Sequence, residues 1–294
     1  MSATTIASPG RGDADAVAIR AALAYGRAAA GGAETNDTRR GEDGAMTYCV
    51  GILVREGLVM IADTRTNAGL DNIATFRKLN LYEKPGDRSI AIATAGNLSI
   101  SQSVTSLITE GLENSETGEI DTIWNTPSMF RAAQLVGRAI REVYRLDGPM
   151  LEKKNLTFDV TMLLGGQIAG GRLRLFMVYA AGNFIEATVD TPYLQIGEHK
   201  YGKPILDRAV NFDYPLQDAL KLGLISMDST MRSNLGVGMP IDLALIRRDD
   251  VRAELSHRIE AGEPYFHDLR ERWSAALRKA HQDIPRPPYG GKGV

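Results

Sequence analysis

Three residues of the chain, Thr47, Asp63 and Lys78, carry the side chains of a nucleophile and of the groups that activate one. A threonine hydroxyl is a weak nucleophile unless a base removes its proton. A lysine ammonium beside that hydroxyl lowers its proton affinity, and a carboxylate keeps the lysine charged and oriented. These side-chain types therefore suit an acyl transfer in which Thr47 attacks a carbonyl carbon.

The base for this reaction could be the α-amine of Thr47 itself. A free α-amine has an ordinary pKa of about 7.7–8.0, so it accepts a proton near neutral pH. Met46 directly precedes Thr47, so the amine is free only if residues 1–46 are absent. Two interpretations are open: residues 1–46 are a propeptide removed by autolysis, or Met46 is the true start and is cleaved off because threonine is small. We favour the second, and expect residues 1–46 to be a disordered N-terminal extension where they are present.

The elements that must position these side chains are two predicted strands. Residues 47–54 and 58–63 are rich in apolar residues and are separated by a tight turn at residues 55–57. The second strand stays apolar until Asp63, so the polar residues that follow reach the end of a sheet, where a site has rigid support. We expect three of these, Arg65, Thr66 and Asn67, to bind substrate.

The same stretch resembles a segment of the proteasome β-subunits, which are N-terminal threonine hydrolases. Their Asp-x-Arg-x-x-x-Gly pattern corresponds to Asp63-Thr-Arg65-Thr-Asn67-Ala-Gly69, and Asp63 follows Thr47 by 16 residues, as in that family. Lys78 follows Thr47 by 31 residues, one short of the usual proteasomal separation, which a loop can absorb. The joint occurrence of these features is specific, although each alone would be weak.

Further segments are similar to the bacterial ancestral β-subunit branch (Anbu) of that family. They are the opening Thr-Tyr-Cys-Val-Gly at residues 47–51, Thr-Phe-Arg-Lys at 75–78 and Ile-Gly-Glu-His-Lys-Tyr-Gly-Lys-Pro at 196–204. The resemblance covers roughly residues 47–248. Because members of this branch usually begin at the threonine, it also supports Met46 as the true start.

The resemblance implies a role for each site residue. Thr47 is the nucleophile, Lys78 oriented by Asp63 favours the alkoxide, and the N–H of Gly96 binds the developing oxyanion. Gly96 suits this role because a glycine N–H at a helix start carries partial positive charge. The segment 226–234 resembles the family's serine-containing loop that holds the terminal amine, so Ser233 and Asp228 are assigned there. His199 stands where the proteasome pattern has a helping serine.

The order of predicted elements indicates an α+β fold, a four-layer α-β-β-α sandwich of the N-terminal-nucleophile hydrolase type. We expect one domain over residues 47–284, a solvated connection at residues 113–127, and a mobile tail at 285–294. The further predicted strands cover residues 77–82, 89–94, 158–164, 173–180, 184–189 and 240–247. The predicted helices cover residues 98–112, 128–146, 201–210, 216–231 and 265–284.

Composition narrows the possible partners of this 294-residue chain. With 44% apolar residues, 24% charged residues and a net charge of −2, it has the make-up of an ordinary globular protein and no basic excess for nucleic acid. It holds no apolar run long enough to span a membrane, and its single cysteine fits a reducing, cytoplasmic compartment. The proposed chemistry requires no metal and no organic cofactor.

The sequence therefore predicts a threonine-type peptidase that hydrolyses peptide or amide bonds through an acyl-ester on Thr47. The resemblance also implies a homo-oligomer, either a closed ring or an open, helically stepped one; it names no ATP-driven unfolding partner. Two alternatives stay open. One is a dedicated amidase for a small metabolite, and the other is a ring- or helix-forming scaffold whose catalytic machinery is vestigial.

Overall fold

The computed structural model describes residues 47–67, 73–115 and 117–289 of the chain. The predictions made for residues 1–46, for Gly69 and for residues 290–294 lie outside these ranges. Residues 285–289 are exposed and form neither helix nor strand.

Two five-stranded antiparallel sheets form the centre of the described structure. In chain order the strands are β1 (Tyr48–Val54), β2 (Gly57–Asp63), β3 (Arg65–Asn67), β4 (Ile73–Thr75), β5 (Leu79–Lys84), β6 (Arg88–Gly96), β7 (Leu112–Glu113), β8 (Ile120–Asp121), β9 (Val160–Ile168), β10 (Arg174–Val178), β11 (Phe184–Glu186), β12 (Tyr193–Gly197), β13 (Ile241–Arg247) and β14 (Ala253–Ile259). The first sheet has the order β12-β1-β2-β13-β14, and the second has the order β11-β10-β9-β6-β5. Strands β3 and β4 form a separate pair, as do β7 and β8.

Five helices accompany these sheets within the described ranges. They are α1 (Leu98–Glu110), α2 (Met129–Lys153), α3 (Lys203–Ala209), α4 (Leu216–Ser233) and α5 (Pro264–Asp283). Ser128 caps α2 by accepting the N–H of Arg131, as its position in the sequence predicts. Helices α1 and α2 share one apolar cluster with the second sheet, and α3, α4 and α5 share another with the first sheet.

Strand β1 shows why the strands near Thr47 are apolar throughout. All seven of its residues are buried. Tyr48, Val50 and Ile52 belong to the cluster shared with the helices, whereas Cys49 and Leu53 belong to a third cluster that contains residues of both sheets. Because successive side chains of a strand point to opposite faces, a strand covered on both faces needs apolar residues at every position.

Most of the predicted elements are confirmed, with shifted ends. The connection at residues 113–127 is not simply solvated: it contains β7 and β8, and Ile123 is fully buried in the cluster of α1 and α2. Helix α2 does not end near Leu146, because it continues through Pro149 to Lys153. Proline removes one helical hydrogen bond, and Leu151 beyond it packs on the same apolar cluster.

Two strands of the first sheet were not predicted from the sequence, β12 and β14. Strand β12 contains only five residues, follows Pro192 and shows no regular alternation of apolar and polar side chains, so its signal in the sequence is weak. It nevertheless pairs with β1, with Tyr48 opposite Gly197. This pairing brings a loop from late in the chain against Thr47.

Candidate active site

The carboxylate of Asp63 is the centre of the buried polar site at the end of β2. Its Oδ1 accepts hydrogen bonds from the backbone N–H of Tyr48 at 3.0 Å and from Nζ of Lys78 at 2.9 Å. Its Oδ2 accepts from the N–H of Gly238 at 3.3 Å. Asp63 is fully buried, so these three donors replace the water that a carboxylate would otherwise bind.

Lys78 is held in one place by two acceptors. Its Nζ donates to Oδ1 of Asp63 and, at 2.6 Å, to the backbone carbonyl of Arg65. The residue is 5% exposed. Since an ammonium has three donors, one remains for a further group. Lys78 also lines a pocket together with Thr47.

The charge state of this pair depends on opposing effects on Asp63. Burial raises the pKa of the Asp63 carboxyl, while the Lys78 ammonium and the N–H groups of Tyr48 and Gly238 act to lower it. The ionised form of this buried pair is therefore stabilised by the contacts that Asp63 and Lys78 make. Removing one partner would leave the other without compensation.

Thr47 immediately precedes β1 and is 2% exposed. Its carbonyl oxygen accepts a hydrogen bond from the N–H of Glu198 at 2.7 Å. Gly197, opposite Tyr48, has a φ of +79°, and a Cβ atom there would lie 2.7 Å from the carbonyl carbon of Thr47 and closer still to its oxygen. Only glycine therefore permits this close approach of β12 to Thr47.

Gly96 ends β6 directly before the N-terminus of α1. Its φ is +100°, and a Cβ atom there would lie 2.5 Å from the carbonyl oxygen of Asp159. Asn97 caps the helix, with its side chain accepting the N–H groups of Ser99 and Ile100. The structure thus confirms the predicted turn into a helix, and both the left-handed conformation and the close packing require glycine.

A pocket of about 250 Å³, including space open to solvent, joins these elements. Residues of β3, β6 and α1 form its walls beside Thr47 and Lys78. The lining residues are Thr47, Thr66, Lys78, Thr94, Ala95, Gly96, Leu98 and Ser101. The predicted nucleophile, lysine and oxyanion donor therefore share one cavity.

The three residues predicted to bind substrate have different positions. Thr66 lines the pocket. Arg65 does not: its Nη1 donates to the carbonyl of Leu235 at 2.9 Å, and its guanidinium covers Gly238, where a Cβ atom would lie 2.5 Å from Nε. Arg65 contributes to the site only through its backbone carbonyl, which accepts a hydrogen bond from Nζ of Lys78. Asn67 ends β3, and its side chain is outside the described part of the structure.

The two residues predicted to hold the terminal amine do not line the pocket. Asp228 is fully buried, and its carboxylate accepts hydrogen bonds from Arg232 at 3.1 Å and from Arg270 at 2.5 Å. Arg270 belongs to α5, so Asp228 joins α4 to α5. Ser233 is exposed at the last position of α4. The contacts of Asp228 are those of a structural ion pair, because both of its oxygens are already engaged.

Two other polar residues occupy the neighbourhood of Thr47 instead. Glu198 contacts Thr47 through its backbone, and its Oε2 accepts from Nδ2 of Asn234 at 3.1 Å while its Oε1 accepts from the N–H of Lys200 at 2.9 Å. Asn234 is buried in the loop after α4. His199 is exposed, and Nδ1 lies 3.5 Å from the carbonyl oxygen of Gly197. Sequence reasoning missed Glu198 and Asn234; the only signal was their position inside the two resembling segments.

Among residues 47–67, 73–115 and 117–289, no cluster of His, Cys, Asp or Glu has the arrangement of a metal site. No helix in that part of the chain is long and apolar enough to cross a membrane.

Comparisons with known proteins agree with this arrangement. No family model matches the chain. It is 27% identical over 206 residues to proteasome subunit beta 2 of Pyrobaculum calidifontis, a match that covers 70% of this chain and 91% of that protein.

Three solved structures are more similar. An Anbu (Gly-1) mutant from Hyphomicrobium sp. strain MC1 is 49% identical, and the match covers 83% of this chain and all of that one with a TM-score of 0.76. Anbu (ancestral beta-subunit) from Yersinia bercovieri is 45% identical with the same coverage and TM-score. A helical assembly of the Anbu complex from Pseudomonas aeruginosa is 46% identical over 82% of this chain and 98% of that one, again with a TM-score of 0.76. The chain therefore belongs to the Anbu family, the ancestral relatives of the proteasome β-subunits.

Proposed function

We propose that the protein is an N-terminal threonine hydrolase that cleaves peptide or amide bonds through an acyl-ester on Thr47. The single observation that carries the proposal is the shared pocket of Thr47, Lys78 and Gly96, with Lys78 held by the buried Asp63 carboxylate. Membership of the Anbu family and similarity to a proteasome β-subunit support the same chemistry. In this proposal the described domain is a four-layer α-β-β-α sandwich, supported by its three apolar clusters.

In the first half of the reaction, Oγ1 of Thr47 attacks the substrate carbonyl carbon while the α-amine of Thr47 takes the hydroxyl proton, directly or through a water. The Lys78 ammonium lowers the proton affinity of the hydroxyl. The oxyanion that forms is stabilised by the N–H of Gly96. The C–N bond then breaks, and the proton passes to the leaving amine. The product left on the enzyme is an ester.

In the second half, water attacks the ester carbonyl and the α-amine again takes the proton. The bond between the carbonyl carbon and Oγ1 breaks, the carboxylic acid leaves and Thr47 regains its proton. No redox step and no further reactant is required.

This mechanism requires the α-amine of Thr47 to be free. In the full sequence that nitrogen belongs to the peptide bond with Met46, so a chain that begins at Thr47 is the active form in this proposal. We propose further that Glu198, oriented by Asn234, replaces Ser233 and Asp228 as the polar neighbour of the amine. The 2.7 Å bond from the N–H of Glu198 to the Thr47 carbonyl and the bond from Asn234 support this role.

We also propose that the protein works as a homo-oligomer, an open helical ring or a closed one. The support is its 46% identity to an Anbu complex that was solved as a helical assembly.

The first test is a mass measurement on the protein expressed from its own gene, followed by reaction with a peptide epoxyketone. We expect a chain that begins at Thr47 and gains one epoxyketone on that residue. Thr47→Ala should gain none and should hydrolyse no substrate, because the nucleophilic oxygen is gone. Thr117→Ala, at an exposed loop position, should behave like the unchanged protein. Hydrolysis retained by Thr47→Ala would refute the proposal.

A further inference from the structure

One residue that lines the pocket beside Thr47 has a buried hydroxyl without a hydrogen-bond partner in the described part of the chain. Oγ1 of Thr66 has no hydrogen-bond partner among the described residues, although the residue is only 9% exposed and lines the pocket. Its orientation follows from β3. Arg65 points its side chain toward Leu235, and the next residue of a strand faces the opposite side.

A second hydroxyl comes from a different wall. Oγ of Ser101, in the first turns of α1, donates its proton to the carbonyl of Asn97 at 2.9 Å. The residue is 4% exposed and lines the same pocket. Its proton is therefore used, and its oxygen lone pairs are the groups that remain for a ligand.

The remaining walls limit the size and the charge of what can enter. Ala95 and Gly96 are the smallest lining residues, and Leu98 adds an apolar surface. Lys78 is already paired with Asp63 at 2.9 Å. A charged side chain would therefore meet no free counterion among the described lining residues, whereas a neutral group that both donates and accepts would satisfy Thr66 and Ser101.

We propose that this pocket selects substrates with a small, neutral, hydrogen-bonding side chain, a hydroxyl or a carboxamide, on the acyl side of the bond that is cleaved. This inference rests on the proposed function, since it names the substrate class of the same site. A site built to hydrogen-bond a substrate group discriminates against the isosteric apolar analogue, because its own polar atoms are then left unpaired.

The test uses two isosteric pairs of tripeptide epoxyketones that differ only in the side chain next to the reactive group. The pairs are threonine against valine and asparagine against leucine. The rate of adduct formation on Thr47 is followed by mass spectrometry. We expect the threonine and asparagine probes to react about three- to tenfold faster than their partners, the range expected for one or two net hydrogen bonds.

Thr66→Val keeps the shape of the side chain and removes the hydroxyl. We expect it to abolish the preference within each pair and to raise the unfolding temperature, because an unsatisfied buried hydroxyl is removed. Thr126→Val is the matched control. Oγ1 of Thr126 is also buried without a partner among the described residues, but the residue does not line the pocket. This control should raise the unfolding temperature and leave the preference unchanged.

A second measurement needs no catalysis and separates the two proposals. Binding of tripeptides that end in threonine or valine is compared by calorimetry. If no epoxyketone reacts but the threonine peptide binds more tightly and loses this advantage in Thr66→Val, the hydrolase proposal fails, whereas the binding preference of the pocket is confirmed. If adducts form fastest with the valine and leucine probes, or if the two peptides bind equally, the inference is overturned.

Discussion

At the scale of single residues, the site is a buried ion pair whose members depend on each other. Asp63 is fully buried, and Lys78 contributes to lowering a carboxyl pKa that burial raises. Breaking a buried pair by removing one partner is strongly destabilising, because a charge is left without compensation. The pair is therefore structural as well as catalytic in this proposal.

The first prediction concerns Lys78→Met, which removes the charge and keeps much of the apolar stem. We expect it to lower the free energy of unfolding by about 3–5 kcal/mol at pH 7. The pKa of Asp63 is already raised in the folded state, and this substitution raises it further. The folded state then binds a proton that the unfolded state has released, so stability is lost as pH rises through the raised pKa. The loss should be smaller near pH 4.5 than at pH 7.

Urea unfolding at several pH values measures this difference. The double variant Asp63→Asn, Lys78→Met should lose the pH dependence, because neither charge is left. Lys84→Met is the surface control, since Lys84 is exposed and lies 4.0 Å from Asp87; its effect should be within about 0.5 kcal/mol. Equal losses for Lys78→Met at both pH values would contradict the ion-pair account.

The second prediction concerns Glu198 and the α-amine of a chain that begins at Thr47. A neighbouring carboxylate favours the ammonium form, so Glu198→Gln should move the midpoint of amine labelling to lower pH by about one unit. Glutamine keeps one acceptor oxygen, so it can still accept from one of the two donors, Asn234 or the N–H of Lys200. The measurement is the pH dependence of acetylation at the N-terminus, followed by mass spectrometry.

The control for that experiment is Glu254→Gln, on the edge strand β14, where the carboxylate pairs with Arg247. It should leave the labelling midpoint where it is in the unchanged protein. A midpoint that Glu198→Gln also leaves in place would remove Glu198 from the amine site.

At the scale of elements, the pairing of β1 with β12 decides what stands beside Thr47. The register places Gly197 opposite Tyr48, and the next residue, Glu198, donates to the Thr47 carbonyl. A glycine with φ +79° is required there for two reasons, its conformation and its close packing. The close packing is the reason that concerns the site, because it allows β12 to approach Thr47.

The third prediction separates these reasons with a pair of variants. Gly86 has a φ of +78°, and a Cβ atom added there would meet no described atom within 4 Å, so Gly86→Ala carries only the conformational cost, about 1–2 kcal/mol. Gly197→Ala carries the same cost and also forces β12 away from Thr47. We expect Gly197→Ala to lose more unfolding free energy than Gly86→Ala, and we expect only Gly197→Ala to lose the epoxyketone adduct. Thermal or urea unfolding and adduct mass measure both, and equal behaviour of the two variants would contradict this role of β12.

At the scale of the whole molecule, the described chain leaves several large apolar side chains exposed. Leu146 and Met150 on α2 are each 59% exposed, and Leu156 just beyond that helix is 57% exposed. Leu146 and Met150 are four positions apart on the helix and so lie on one face, and exposed apolar side chains that share a face are typical of protein–protein contacts. This exposure agrees with the proposed assembly, in which part of the surface of each protomer is covered by another copy.

The fourth prediction is therefore that the native protein sediments as a species of several protomers. Leu146→Glu combined with Met150→Glu should shift it toward smaller species, because a charge is then buried at the contact. Circular dichroism should show unchanged secondary structure, since both side chains are already exposed in the single chain. Sedimentation of the unchanged protein as a single protomer would contradict the proposed oligomer.

The sequence by itself determined the part of the site that is local in the chain. Thr47, Asp63 and Lys78 lie within one stretch of strands and turns, and Gly96 ends a strand that enters a helix. Their spacing, together with the resemblance to the proteasome β-subunits, was therefore enough to predict that they belong to one site. Strand β3 was not predicted, and all three of its residues were expected to bind substrate; only the structure showed that Thr66 lines the pocket while the Arg65 side chain contacts Leu235.

Only the tertiary structure decided which distant residues join the site around Thr47 and Asp63. Glu198 arrives through the pairing of β12 with β1, Asn234 through a bond to Glu198, and Gly238 through its N–H to Asp63. Asp228 was predicted at the amine, but α4 packs on α5 and the Asp228 carboxylate pairs with Arg270 instead. A local pattern specifies which face of an element is apolar, whereas the partners of its polar side chains depend on contacts between residues far apart in the chain.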